Sequence, residues 1–130
     1  MRNALLEKQV ITLSSETTPG QTRTFEIDET IGSGFSCIAY RAIDSGNKIS
    51  VVIKECFPYK SAIRELNGNV IWTCESEEKR ALERFRKAFE TQRELQSSPD
   101  TMNTSVHLID GLYGGNNTLY TITDLQNCFC

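Results

Sequence analysis

The chain has 130 residues, 38% apolar and 24% charged, with a net charge of −3. That is enough for one domain with a real core, and it is ordinary for a globular protein. A weakly acidic balance with no basic surplus argues against a nucleic-acid partner, and no apolar run approaches the roughly 20 residues a membrane helix needs. Glu7 and Lys8 interrupt the apolar residues of the N-terminus, so no secretory signal is read there, and the expected location is the cytoplasm.

Residues 1–23 read as an N-terminal extension, with a short amphipathic piece over 4–8, a candidate extra strand over 9–13, and a polar stretch holding the Pro19-Gly20 turn signal. From Thr24 the pattern turns to strand, with Phe25, Ile27 and Ile31 as its apolar positions. Alternation predicts a second strand over 36–44, Ser45-Gly46-Asn47 as its turn, and a third strand over 48–55 around Ile49, Val51, Val52 and Ile53. Pro58 ends that strand, and Asn67-Gly68-Asn69 marks a hairpin-type turn into Val70-Ile71-Trp72. One long helix is predicted over Glu75–Gln96, stopped by Ser97-Ser98-Pro99. Its acidic start complements the helix dipole, and Leu82, Phe85, Ala88, Phe89, Gln92 and Leu95 fall on one face. Two more strands, over 106–112 and 118–123, flank a turn at Gly114-Gly115-Asn116-Asn117. The predicted fold class is α+β: a five-stranded antiparallel sheet with one main helix between its third and fourth strands.

The chemistry concentrates in IGSGFSCIAYRA (residues 31–42) and in Val51-Val52-Ile53-Lys54. The first reads as a glycine-rich turn between strands, where Gly32 and Gly34 leave backbone free to lie close over phosphates. The second puts a lysine on the next strand as a point charge for phosphate oxygens. The bland alternative is that both glycines serve only a hairpin and Lys54 is an edge-strand charge. Other chemistry is sparse. The five cysteines, Cys37, Cys56, Cys74, Cys128 and Cys130, form no CxxC pair, and His107 stands alone, so no metal ligands are assigned. Reduced thiols are the plain reading.

In order, these elements resemble the N-terminal lobe of a bacterial-type Ser/Thr protein kinase over residues 24–125. The family has a GxGxxGxV loop on a hairpin, a VAIK strand, a helix bearing a glutamate, then two strands leading to a hinge. Lys54 to Pro58 (KECFP), Leu82 to Phe85 (LERF) and Leu119 to Leu125 (LYTITDL) add to the likeness. The resemblance implies ATP with Mg as cofactor, a protein hydroxyl as acceptor of the γ-phosphoryl group, and Lys54 as the catalytic lysine on the α- and β-phosphates. It implies nucleotide contacts from Ile31, Gly32, Ser33, Gly34, Ala39 and Val52, with Thr123 as gatekeeper and backbone groups around Asp124, Leu125 and Gln126 on the adenine edge. Three features depart from the family pattern. Cys37 stands at the third glycine, Val52 replaces the usual alanine, and the glutamate that should meet Lys54 falls on Glu94, Ala88, Gln92 or Glu90 according to how the helix is aligned.

The family's HRD and DFG motifs are not in this sequence. A whole kinase domain is about twice as long. The resemblance therefore implies a piece of a longer enzyme, inactive alone, with the metal ligands in a C-terminal lobe and a sticky underside prone to self-association. Two other readings stay open: a pseudokinase or regulatory module that keeps the lobe without the chemistry, and an unrelated α+β interaction domain whose glycines serve turns.

Overall fold

The structure is a computed structural model and describes residues 4–96 and 109–124. Its strands are β1 (Val10–Ser15), β2 (Thr22–Ser33), β3 (Cys37–Asp44), β4 (Ser50–Cys56), β5 (Ala62–Arg64), β6 (Val70–Trp72), β7 (Ile109–Gly115) and β8 (Thr118–Asp124), with helix α1 (Glu75–Gln96) between β6 and β7. Six of the strands close into an antiparallel barrel in the order β1-β2-β3-β4-β8-β7, and β5 and β6 form a separate two-stranded ribbon. This corrects the predicted five-stranded sheet.

The correction has a local cause. β1 pairs with β2 from Val10↔Glu26 to Ser14↔Thr22, and on its other edge with β7 at Ser14↔Gly114 and Ser15↔Tyr113. The sequence reading spent Gly114 and Gly115 on a turn, but both lie in β7, and the turn is Asn116-Asn117, with φ of 49° and 64°. Two successive left-handed residues make the primed two-residue turn that suits a twisted hairpin, and asparagine tolerates that conformation. Gly115 is needed for a different reason. A Cβ there would stand 2.6 Å from Leu13 Cδ2 and 3.3 Å from the Thr12 carbonyl, so its missing side chain lets β1 come alongside.

Alternation sorts the barrel strands cleanly. Leu13, Phe25, Ile27, Tyr40, Ala42, Val51, Ile53, Tyr120 and Ile122 point inward and are buried. A smaller apolar cluster, Cys56, Phe89, Leu112 and Leu119, joins α1 to the outside of the barrel, with Trp72, Ala81, Leu82 and Phe85 packed against it. Leu95, read from sequence on the same helical face, is 52% exposed. Arg86 Nη2 donates to Glu16 Oε1 at 3.1 Å and ties the helix back to the end of β1.

Two inward-facing acids are buried: Asp44, held by Arg23 Nη2 at 2.8 Å, and Glu55. Glu55 is fully buried, and its carboxylate is enclosed. Tyr40 Oη donates to Oε1 at 2.7 Å and Tyr120 Oη donates to Oε2. Arg64 reaches in from β5, donating from Nη1 to Oε2 at 2.9 Å and from Nη2 to Oε1. The outer ring of this network is backbone and turn: Leu5 N donates to Tyr40 Oη, Asn116 Nδ2 to Tyr120 Oη, and Arg64 Nη1 to the Gly68 carbonyl. Burial, reinforced by the adjacent Glu55 charge, pushes both phenols far above the usual tyrosine range. Burial works against the Arg64 charge as well, but the hydrogen bonds and charge of Glu55 outweigh it and hold the guanidinium protonated. No buried side-chain nitrogen or oxygen among the described residues lacks a partner.

Arg64→Ala leaves that carboxylate buried without its cation and should cost about 3–5 kcal/mol in urea unfolding, with Arg64→Lys in between. A loss under about 1 kcal/mol would show that the network does not hold the barrel end. The tyrosines set an alkaline limit. Below pH of about 10 folded and unfolded chains both keep the phenol protons; above it the unfolded chain releases protons that the folded chain retains, so stability falls as pH rises. Tyr40→Phe should lower the urea midpoint at neutral pH yet flatten this alkaline limb.

Candidate functional site

β3 and β4 carry the residues singled out from sequence, and their register brings several of them together. Ala39 pairs with Lys54, and Arg41 with Val52. Lys54 in turn pairs with Thr121 on β8, and Val52 with Thr123. Because side chains alternate, Ala39, Val52, Lys54, Thr121 and Thr123 share the outer face of the barrel, while Tyr40, Ile53, Glu55 and Ile122 face the core. Ala39, Val52 and Thr123 are half-buried and Lys54 is exposed, giving an apolar strip beside one cation. Gly32 pairs with Ala39 on the β2 side, and Ile31 sits at the register shift just before it, 46% exposed. Asp124 pairs through its backbone with Val51, and Leu125 lies outside the described residues.

The glycine-rich turn is held at its base and open at its tip. Gly34 N donates to the Cys37 carbonyl at 2.9 Å, closing the β2–β3 hairpin around Phe35 and Ser36, with Ser33 paired to Ile38 below it. Phe57 N and Tyr59 N donate to the carbonyls of Ser36 and Phe35, and the Phe35 ring meets Tyr59 edge-on at 6.2 Å. Neither Gly32 nor Gly34 has a positive φ, and a Cβ on either would meet nothing within 4 Å. The fold itself places no demand for glycine at these two positions, so any demand must come from what lies over them.

A cleft of about 320 Å³ opens between this hairpin and α1. Lys54, Ser36, Cys37, Cys56, Pro58 and Thr121 line the barrel wall, and Ala81, Arg84, Phe85, Ala88, Phe89 and Gln92 the helix wall. Lys54 thus shares a cleft with Ser36 and Cys37, which follow the glycine pair, while Gly32 and Gly34 are not in its lining. Of the four helix positions that could have met the lysine, Ala88 and Gln92 are on the cleft wall, while Glu90 and Glu94 are exposed and outside it. Among the described residues the ion pairs join other groups, and none reaches Lys54. The lining carries two cations, Lys54 and Arg84, and no carboxylate. An anion suits it; a bare divalent cation does not.

Sequence reasoning missed Thr121, Ser36, Cys56 and Arg84. Thr121 was legible from Thr123 by strand alternation, and Arg84 from Ala81 and Ala88 by helical spacing. Nothing in the sequence showed that the helix would present Arg84 to the cleft together with Ala88 and Gln92. Among the described residues, no three His, Cys, Asp or Glu side chains gather as a metal site, and no helix is long and apolar enough to cross a membrane.

No protein-family model and no curated protein matches the chain. Its fold does have a counterpart. A solved structure, PpkA-294 in its apo form, a bacterial Ser/Thr kinase fragment, superposes with a TM-score of 0.69 at 24% identity, over 94% of this chain and 38% of that one. The likeness is one of fold alone, and this chain spans well under half of its counterpart.

Gly32→Ala and Gly34→Ala should each leave the thermal or urea midpoint within about 0.5 kcal/mol of the parent. Gly115→Ala, forced against Leu13 and Thr12, should lose about 1–3 kcal/mol. Equal losses at all three positions would mean that the glycine-rich turn is a structural requirement of the barrel.

Proposed function

We propose that this chain is the nucleotide-binding lobe of a Ser/Thr protein kinase-like protein, which holds ATP and supports γ-phosphoryl transfer to a protein hydroxyl in the longer protein. The observation that carries the reading is the shared outer face: Ala39, Val52 and Thr123 lie beside Lys54 on one face of the barrel, and Gly32 of the glycine turn is in register with Ala39. An adenine ring needs an apolar surface edged by backbone hydrogen-bonding groups, and phosphates need a cation and unobstructed N–H groups. Ile31, Gly32, Ser33, Gly34 and Ala39 would cover the nucleotide, Lys54 would bind its phosphates, and backbone near Asp124 and Leu125 would meet the base. The kinase-like fold supports the same assignment. Mg would arrive with the phosphates, because the cleft itself offers it no carboxylate. The proposal leaves the proton acceptor and metal ligands to residues other than those described.

A second reading has its own support. With Ala88 and Gln92 opposite Lys54, and no carboxylate in the cleft, the ion pair that an active kinase requires is absent in this arrangement. That favours a regulatory nucleotide-binding module in which the position of α1 is the variable. The two readings part on activity in a longer chain carrying these residues: phosphorylation of a protein hydroxyl fits the first, and nucleotide binding without transfer fits the second.

Titrating Mg·ATP into the isotope-labelled protein should shift the amides of residues 32–39 and of Lys54 first, with saturation in the millimolar range. Lys54→Met should weaken binding roughly tenfold or more, the effect of one charge-assisted contact. No shifts at millimolar nucleotide, or shifts confined to other surfaces, would end the ATP reading.

A further inference from the structure

Two of the cysteines face each other across the hairpin that carries the glycine turn. Cys37 opens β3, Cys56 closes β4, and they are direct register partners. The hydrogen-bond pattern fixes the kind of pair. Phe57 N donates to the Ser36 carbonyl at one end of the ladder and Asp44 N to the Ile49 carbonyl at the other. Counting by two from either bond makes Cys37 and Cys56 a non-hydrogen-bonded pair, the kind in which facing side chains come closest. Such pairs hold Cα atoms about 4.5 Å apart. Disulfides span Cα separations from about 4.4 Å. Both side chains line the same cleft on the outer face of the barrel, and both thiols are free. Their backbones are pinned: Gly34 N donates to the Cys37 carbonyl at 2.9 Å, and Thr118 Oγ1 to the Cys56 carbonyl at 2.6 Å.

We propose that Cys37 and Cys56 are a peroxide-sensitive pair that closes into a reversible cross-strand disulfide at the mouth of the cleft beside Lys54. The inference stands independently of what the cleft binds. The two sulfurs have different parts. Cys37 is half-buried and reachable from the cleft, whereas Cys56 is 2% exposed and burial pushes its thiol up to about 12. Cys37 reacts first. Its thiolate attacks one peroxide oxygen, the O–O bond breaks, and hydroxide leaves, giving a sulfenic acid. Cys56 sulfur then attacks the Cys37 sulfur, the S–O bond breaks, and the departing hydroxide takes up the Cys56 proton as water. Two thiols give up two electrons and two protons, and the peroxide becomes two waters. A small thiol reverses the bridge by exchange.

Closure has a structural consequence beyond the hairpin. Cys56 Sγ now donates weakly to the Ala81 carbonyl of α1 at 3.8 Å. A bridged sulfur has no proton to donate, so oxidation removes a contact between helix and barrel while stapling the glycine turn to β4. The pair thus couples the turn to the helix across the cleft.

The test uses the chain with Cys74, Cys128 and Cys130 replaced by serine, treated with hydrogen peroxide and then alkylated in denaturant. Both remaining thiols should disappear together, in a monomer that has lost two hydrogen atoms in mass and recovers both thiols with dithiothreitol. The same treatment in urea should bridge far more slowly. Adding Cys56→Ser should leave Cys37 as a sulfenic acid captured by dimedone. Peptide mapping of the oxidised five-cysteine protein gives a second measurement that needs no substitution, and should show a Cys37–Cys56 crosslink. A native protein that keeps either thiol, that accumulates the Cys37 sulfenic adduct with Cys56 present, or that bridges Cys37 to another cysteine overturns the proposal.

Discussion

The carboxylate of Glu55 is the constraint around which the rest of the structure is arranged. A charge with no solvent contact must be enclosed by donors, and here they come from β3, β8 and β5. Their own second partners come from the N-terminal segment and from the turns at Gly68 and Asn116. One buried oxygen pair therefore gathers segments that are distant in sequence at one end of the barrel. The same residue sets the face of its neighbour. Adjacent strand residues point to opposite sides, so fixing Glu55 inside fixes Lys54 outside. A one-residue slip of β4 would bury the lysine and expel the carboxylate, which the network of Arg64, Tyr40 and Tyr120 opposes. The orientation of the candidate site is in this sense decided on the side of the sheet that the ligand never sees.

Much of this was legible in the chain, and the exceptions have physical reasons. Alternation located β3, an apolar run between turn signals located β4, a flanking turn located β8, and the acidic start, apolar face and Ser97-Ser98-Pro99 stop located α1. Barrel closure was not legible. It depends on Gly115, where a Cβ would stand 2.6 Å from Leu13 Cδ2 and 3.3 Å from the Thr12 carbonyl of β1, and a glycine pair beside two asparagines reads as a turn in sequence. The strand from 106 was placed by sequence partly on residues outside those described. Glu55 was invisible as a core residue, since a charge after a lysine looks like a solvated strand end; its partner Arg64 is nine residues on, in a ribbon the sheet does not include. Of the candidate site, strand period puts Val52 and Lys54 on one face, whereas Ala39 and Thr123 were reached only through the family resemblance. Which helix residue meets the lysine could not, because helix rotation is set by how Phe89, Leu112, Leu119 and Cys56 interlock.

That interlock also explains the character of the cleft. Phe89 is the deep helix anchor, and one turn on either side of it the helix presents Phe85 and Gln92 to the barrel. With Phe89 seated against Cys56 and Leu112, the acidic residues at 90 and 94 are carried to the solvent side by their angle about the axis. Bringing either to Lys54 requires the helix to turn about its axis and Phe89 to leave its seat. The charge pattern of the cleft and the packing of the satellite core are thus one property, and neither can change without the other.

The short seam between β1 and β7 has a mechanical meaning. On one edge β1 is held by a run of pairs to β2, from Val10 to Ser14; on the other by two, at Ser14 and Ser15, together with the bond from Glu16 N to the Leu112 carbonyl. The cylinder is thus fastened unevenly, like a rolled sheet held by a single clasp. Thermal fluctuation that undoes the clasp leaves β1 attached to β2 and exposes the free edge of β7, so the first excursion from the native state is an unrolling that begins at Ser15.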